Sequence, residues 1–379
     1  MSSSTTYKYA TLDPTVWNKP NPVPVEVIQY VDDAVKSMLP PDNTVVSITP
    51  SGSSYWARTA KIETETPEGE EQSFFIKVQC GDYAQKLFTG EYASMRALRE
   101  AMPDLTPLPV GTGQYASDPD KFFYLCEFRE LVEDVPDVED FSSMIAEMHK
   151  RGVSPDGKFG FPVPTYGGRL PMLYPPSDTW EELFTQVMDT TFTVEEESQG
   201  VDEDMQALRE AIMTKVIPRL LRPMETCGRR LIPRLVHSDL WHGNVAVDVN
   251  TGLPVIFDGI ALYAHNEYEL APWRPIRHNI GRPYINEYLK HAAVTDPAED
   301  FEDRNLLYCI RNPPAEPLPA ANSISTAQPI IPGTYDFAIF REEMRELVNK
   351  YPEGYEGWLK EHPEDAGTGP SNGKGLLRL

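Results

Sequence analysis

The chain has 379 residues and 42.7 kDa, with 40% hydrophobic residues, a formal charge of −24 and a sequence pI near 4.7. Single cores stop growing near ~250–300 residues, so two lobes are expected, and 18 Tyr, 15 Phe and 6 Trp supply apolar surface that a disordered chain lacks. The negative surplus repels nucleic-acid backbones and anionic membranes, so neither is expected as a partner.

Four cysteines (Cys80, Cys126, Cys227, Cys309) are widely spaced, which points away from a disulfide scaffold or zinc ribbon and towards reduced thiols. No signal peptide is read in "MSSSTTYKYATLDP", and no run approaches the ~18 apolar residues of a membrane span. A cytoplasmic setting is the expectation; the oligomeric state is left open, with a monomer slightly favoured.

Residues 1–43 read as an N-terminal extension with an extended, proline-rich lead-in, "NKPNPVPVE". Residues 44–130 read as a β-rich lobe with one helix. Within it, the stretch 44–80 alternates short apolar runs with the polar turns "PSGSS" and "TPEGEE". Next, Phe88, Tyr92, Met95, Leu98 and Met102 recur at steps of 4, 3, 3 and 4, an amphipathic helix that Pro103 stops. "KFFYLCEFREL" adds a strand.

Residues 131–379 read as a mainly helical lobe. "DFSSMIAEMHKRG" places Phe141, Met144, Ile145 and Met148 on one face, with Gly152 after the last turn and His149 as a positive charge at the helix end. A Gly/Pro-rich loop, "GKFGFPVPTYGGRLP", follows, and "SDTWEELFTQVM" opens with Ser177 or Asp178 as its cap. After the helical "DEDMQALREAIMTKVIPRLLRP" come two short strands, "NVAVD" and "PVIFDG". The proline-rich stretch 305–335 reads as loop, "FAIFREEMRELVNKY" as a late helix, and acidic runs such as "TVEEESQGVDED" as solvated surface.

The chemistry concentrates in "RLVHSDLWHGNVAVD". A phosphoryl-transfer enzyme needs a base beside the attacking hydroxyl and a metal that neutralises nucleotide oxygens. Protein kinases use H-x-D-x-x-x-x-N, followed by a strand ending in a metal-binding Asp. His237, Asp239 and Asn244 fill that pattern, and Asp258 closes "PVIFD". Asp239 can take the acceptor proton, while Asn244 and Asp258 offer oxygen ligands to Mg²⁺, with His237 as a buttress. Upstream, Lys77 in the strand "FFIKVQ" can meet nucleotide phosphates, and Glu91, fourteen residues on, can anchor it. The turn "PSGSSYW", with Gly52 and Ser53, can cover the phosphates. Trp241, beside the base, offers a sugar-stacking wall or plain core packing.

These residues resemble the fructosamine/ketosamine-3-kinase family, which belongs with the aminoglycoside phosphotransferases in the protein-kinase-like superfamily. The resemblance rests on "FFIK", "LFTGEYASMRAL", "GKFGFPVPTYGG", "HSDLWHGNV", "PVIFDG" and "YAHNEYELAPWR", spread from about residue 50 to 290. It implies an α+β, kinase-like bilobal fold, ATP and Mg²⁺ dependence, and a free or protein-bound ketosamine as acceptor. It further implies Asp239 as base, Asn244 and Asp258 as metal ligands, Lys77 and Glu91 as the nucleotide pair, and the strand from Cys126 through Glu127 to Phe128 as adenine hinge. Trp241, His242 and Glu267 are its candidate acceptor contacts. Three departures stand out. Ser238 occupies a position usually Gly, Gly259 one usually Pro, and Glu269 one usually Asp. None removes a group needed for the chemistry, and together they leave the fine substrate choice open, because the stretch around Glu269 lies close to the active loop.

Other readings remain open. His237, Asp239 and His242 could ligate a hydrolytic metal, although the remaining histidines form no second tight cluster. The chain could phosphorylate another amino sugar, an aminoglycoside or an amino alcohol. It could also be a silent scaffold, although intact Lys77, Asp239, Asn244 and Asp258 argue against that.

Overall fold

The computed structural model describes residues 23–366, save 53, 55–56, 169, 276–277 and 311–336. Its first architectural unit is a five-stranded antiparallel sheet of order β1-β2-β3-β5-β4, comprising β1 (Thr44–Pro50), β2 (Arg58–Glu65), β3 (Glu71–Cys80), β4 (Pro109–Gln114) and β5 (Lys121–Glu127). Period-2 alternation decides what each face of β3 carries. Phe74, Ile76 and Val78 point into a small core with Ala60, Ile62, Phe123 and Leu125. Lys77 therefore faces the other way, opposite Tyr124 in register.

The stretch before β1 is not wholly extended. Residues 25–28 and 33–36 form short helical turns, and Val23, Val27, Ile28, Val31, Val35 and Leu39 seal the sheet's outer face. The lead-in residues 18–22 lie outside the described residues.

Helix α1 (Asp82–Ala101) crosses the inner face. Its stripe is as expected. Phe88, Met95 and Leu98 are buried, Tyr92 and Met102 pack at the margin, and a 3-10 turn begins at Pro103.

The larger core lies among β6 (Leu131–Val132), α2 (Val138–Arg151), β7 (Thr165–Gly167), β8 (Leu170–Met172), α3 (Trp180–Gln199) and α4 (Glu203–Ala211), followed by β9 (Arg234–Val236), β10 (Val245–Asp248), β11 (Pro254–Ile256), β12 (Leu262–Ala264), α5 (Arg282–His291), α6 (Phe301–Ile310), α7 (Phe337–Lys350) and α8 (Gly354–Glu361). The sheet followed by helices makes the chain α+β. Strand β10 pairs with both β11 and β6, so the two strands read from "NVAVD" and "PVIFDG" form an antiparallel pair. Among the described residues, no helix is long and apolar enough to cross a membrane.

Several local expectations are corrected by tertiary context. Thr179 caps α3, its side chain accepting from the Glu182 N–H, in place of Ser177 or Asp178. Gly152 does follow α2, but at φ −76° its role is spatial, because a Cβ there would lie 2.7 Å from the Leu235 Cβ. His149 does lie in the last turn of α2, but it is buried, with Nδ1 on the Tyr288 hydroxyl at 2.9 Å. The acidic run at 193–204 is largely helical and only partly surface, with Val194 buried. Residues 305–310, read as loop, belong to α6, whereas 311–336 lie outside the described residues.

Candidate active site

The loop after β9 is bound on three sides. Both carboxylate oxygens of Glu269 accept backbone N–H groups, from His237 at 2.5 Å and Ser238 at 2.9 Å. The His237 ring bridges the loop to the strand end before Asp258, with Nε2 2.9 Å from the Phe257 carbonyl and Nδ1 accepting from the Asp239 N–H at 3.3 Å. Burial lowers the His237 pKa, more than the nearby Glu269 charge can offset, and the neutral ring suits this dual donor–acceptor use. Trp273 Nε1 donates to the Leu240 carbonyl at 2.7 Å.

Two departures from the family pattern now have physical accounts. Ser238 sits at φ 68°, the left-handed region where glycine is the usual occupant. Its hydroxyl donates to the Ile260 carbonyl at 2.9 Å, a contact that glycine could not make. Glu269 is fully buried beneath the loop and touches loop backbone and His149. These contacts give it a bearing on loop position.

Asn244 donates from Nδ2 to the Asp239 carbonyl oxygen at 2.8 Å and to Oδ2 at 3.0 Å. These two bonds engage the Asn244 amide nitrogen and tie the Asp239 side chain to the loop. Asp258, also left-handed at φ 60°, keeps 47% of its side chain exposed and accepts from Lys77 Nζ. Lys77 also donates to Glu91 at 2.7 Å. Burial alone would lower the lysine pKa, but Asp258 and Glu91 outweigh it and hold the ammonium charged, above its ordinary range. Lys77, Glu91, Asp239, Asn244 and Asp258 all line one cleft, together with Ser54, Ala57 and Tyr166. A larger cavity of about 260 Å³, bordered by Phe192, Asp202 and Arg341, contains none of these groups.

Helix α1 carries Glu91 and is held at several points. The Ala261 N–H donates to Ser94 Oγ at 3.1 Å, and the Tyr83 hydroxyl donates to the Gly168 carbonyl in the β7–β8 hairpin. Gly90 lies against that same hairpin, where a Cβ would come within 2.5 Å of the Pro164 carbonyl oxygen. Gly90→Val is expected to cost about 1–3 kcal/mol of stability by overpacking, read as a lower urea midpoint. It should also move Glu91 from Lys77 and lower turnover; unchanged stability and turnover would show that α1 is free to shift.

Not every candidate joins the cleft. Gly52 lies at φ 72° in the β1–β2 turn, and a Cβ there would be 3.7 Å from the Phe75 ring, beside Lys77's face of the sheet. Ser53 lies outside the described residues. Glu127 and Phe128 are at the end of β5, outside the lining around Lys77 and Asp239, and their N–H groups are spent on the Leu108 and Ser73 carbonyls.

The acceptor contacts need more correction. Trp241 is 5% exposed, its ring folded across Gly243, so it offers no open stacking face. That packing explains the W-x-G spacing, since a Cβ at Gly243 would fall 2.2 Å from the indole. His242 is half-buried, its Nδ1 3.3 Å from Nδ1 of His278. Glu267 is 1% exposed and paired with buried Arg304, so it cannot reach an acceptor. The motif placed it near the active loop, but its side chain turns into the core. Tyr166, which does line the cleft, was missed because "TYGG" carries no local chemical signature.

An antiparallel sheet with a lysine–glutamate pair, set over an H-x-D-x-x-x-x-N loop, defines the kinase-like phosphotransferases, whose acceptor is a hydroxyl group. Residues 56–311 match the family described as fructosamine kinase, and the chain belongs to that family. Among its relatives, ketosamine-3-kinase of Mus musculus is 29% identical over 218 residues, covering 52% of this chain and 68% of that one. The chloroplastic protein-ribulosamine 3-kinase of Oryza sativa subsp. japonica is 30% identical over 241 residues, covering 63% and 65%. The match thus spans about two thirds of the length of these relatives. Crystal structures of candidate fructosamine-3-kinases share the fold. The one from Haemophilus somnus 129PT has a TM-score of 0.57 at 13% identity, covering 83% of this chain and 96% of its own. The one from Thermobifida fusca YX-ER1 has 0.54 at 21%, covering 71% and 86%.

Proposed function

We propose that the protein transfers the γ-phosphate of ATP to the 3-hydroxyl of a ketosamine, the sugar adduct that glycation leaves on an amine. The observation that carries this reading is the convergence of Lys77, Glu91, Asp239, Asn244 and Asp258 on one cleft, in a chain of the fructosamine kinase family. The names of its mouse and rice relatives support the acceptor class.

Asp239, steadied through Oδ2 by Asn244, would present its other oxygen to the acceptor hydroxyl and take the proton late in transfer. The hydroxyl oxygen forms the new P–O bond as the bond from the γ-phosphorus to its bridging oxygen breaks, and ADP leaves. Lys77 would meet the nucleotide phosphates, the β1–β2 turn with Gly52 and Ser53 would cover them, and the strand end from Cys126 to Phe128 would border the adenine.

The donor set fits Mg²⁺, which prefers hard oxygen ligands. Asp258 offers an exposed carboxylate, and Asn244, its amide nitrogen engaged, offers its carbonyl oxygen. Bound there, the ion would neutralise charge on the transferring phosphate. Asp258→Ala is expected to weaken Mg²⁺-dependent ATP binding, measured by calorimetry with and without the ion. Unchanged dependence on Mg²⁺ would remove Asp258 from that role.

Phosphorylation at C3 would have a chemical consequence. The C1 amine and C2 carbonyl tautomerise to a 1,2-enaminol, which makes the C3 phosphate allylic and able to leave. Water then releases the amine, so a persistent adduct is shed and the carrier is repaired. Four separate thiols suit a reducing, cytoplasmic setting for such repair.

Incubation with ATP, Mg²⁺ and a panel of ribulosamines, fructosamines, aminoglycosides and amino alcohols tests the reading. Phosphate on the sugar 3-hydroxyl is expected. Transfer only to the other acceptors would reassign the substrate, and no turnover at all would make the chain a scaffold.

A further inference from the structure

The cleft has a wall that no motif residue provides. The β7–β8 hairpin follows α2 in the chain, yet it reaches across to α1, where Tyr83 donates to the Gly168 carbonyl. The Tyr83 and Tyr166 rings meet edge to face, with centroids 5.3 Å apart and planes at 89°. This contact holds a half-buried tyrosine in the cleft, lining it with Lys77, Glu91, Asp239 and Asp258. Among the described residues, no hydrogen bond to the Tyr166 hydroxyl is found. Burial raises its pKa, so the phenol stays protonated and able to donate near neutral pH.

From this placement we infer that Tyr166 is the specificity contact for the acceptor sugar, its ring against a C–H face of the ketosamine and its hydroxyl donating to a sugar oxygen. The inference rests on the transfer reaction above and adds the residue that recognises its acceptor. Charge complementarity favours the sugar over the nucleotide. Nucleotide phosphates call for cations, which Lys77 and the ion at Asn244 and Asp258 would supply, whereas Tyr166 is uncharged. A sugar presents apolar C–H patches beside hydroxyls, and a tyrosine combines an apolar ring with a polar tip. Trp241 and Glu267, expected beside the acceptor, are buried, and of the two aromatic side chains in the cleft lining Phe88 is 1% exposed and has no polar tip, whereas Tyr166 is half-buried and carries a hydroxyl.

The test compares full-length wild type, Tyr166→Phe and Tyr166→Ala in steady-state turnover of ribulosyl-lysine and fructosyl-lysine. Binding of the same ketosamines in the presence of a non-hydrolysable ATP analogue is measured alongside. Tyr166→Phe keeps the ring contact with Tyr83 and is expected to raise the ketosamine KM by about fivefold, the worth of one neutral hydrogen bond. Tyr166→Ala should raise it by at least ~10-fold through the added loss of ring contact. The KM for ATP should stay within about twofold of wild type in both, since uncharged Tyr166 makes no phosphate pairing. An unchanged ketosamine KM in active variants, or equal rises for ATP and ketosamine, would overturn the assignment while leaving the reaction standing. If wild type neither binds nor phosphorylates any ketosamine, the reaction itself fails and the assignment falls with it.

Discussion

Asp239→Asn is expected to lower kcat by about 10²–10⁴-fold, the usual contribution of a positioned general base. The amide is nearly isosteric with the carboxylate, and its oxygen can still accept from Asn244 Nδ2, as Oδ2 does at 3.0 Å. The loop is also held independently of this side chain, through Glu269 and His237. Fold and nucleotide affinity should therefore survive while proton acceptance is lost. Phosphate transfer to a ketosamine and calorimetric binding of ATP with Mg²⁺ separate these effects. Turnover near the wild-type rate would take Asp239 out of the chemistry, and loss of nucleotide binding would show that its charge serves the ATP site instead.

The largest effect on stability is expected at Arg304, which is fully buried. Its guanidinium binds Glu267 through Nε at 2.9 Å and Nη2 at 3.1 Å, and also donates to the Pro297 and Thr295 carbonyls at 2.7 and 2.8 Å. Glu267 in turn accepts the Thr295 N–H at 2.8 Å. Arg304→Met strips the carboxylate of its cation inside the core, at a cost of about 3–5 kcal/mol. Adding Glu267→Gln removes the stranded charge, so the double variant should recover part of the loss. Urea midpoints of the two singles and the double check this. Full stability of Arg304→Met, or no recovery in the double, would mean that the pair does not hold this region together.

Much of the fold was legible because its signals are local. The stripe from Phe88 to Met102 announces α1, and the alternation around Phe74, Ile76 and Val78 settles which way Lys77 faces. The order of strand lysine, helix glutamate, aspartate loop and aspartate strand holds the chemistry regardless of loop lengths. What failed were statements about burial. Glu267 and Glu269 are two residues apart in a stretch expected beside the substrate, yet one pairs with Arg304 in α6 and the other with the backbone of the loop after β9. His149 lies at a helix end as its position in the chain implies, yet it is buried there against Tyr288 of α5.

The sequence by itself thus determined the sheet, the helix that meets it and the identity of the chemical groups, since these follow from periodicity and from residue type at short spacing. Only the tertiary structure decided which polar groups face the cleft and which the core. Ser238 and Asp258 lie left-handed under restraint from distant residues, Trp241 is folded over Gly243, and Tyr166 is held by α1 from another part of the chain. Exposure depends on every element packed around a residue, and no window of neighbouring residues contains that information.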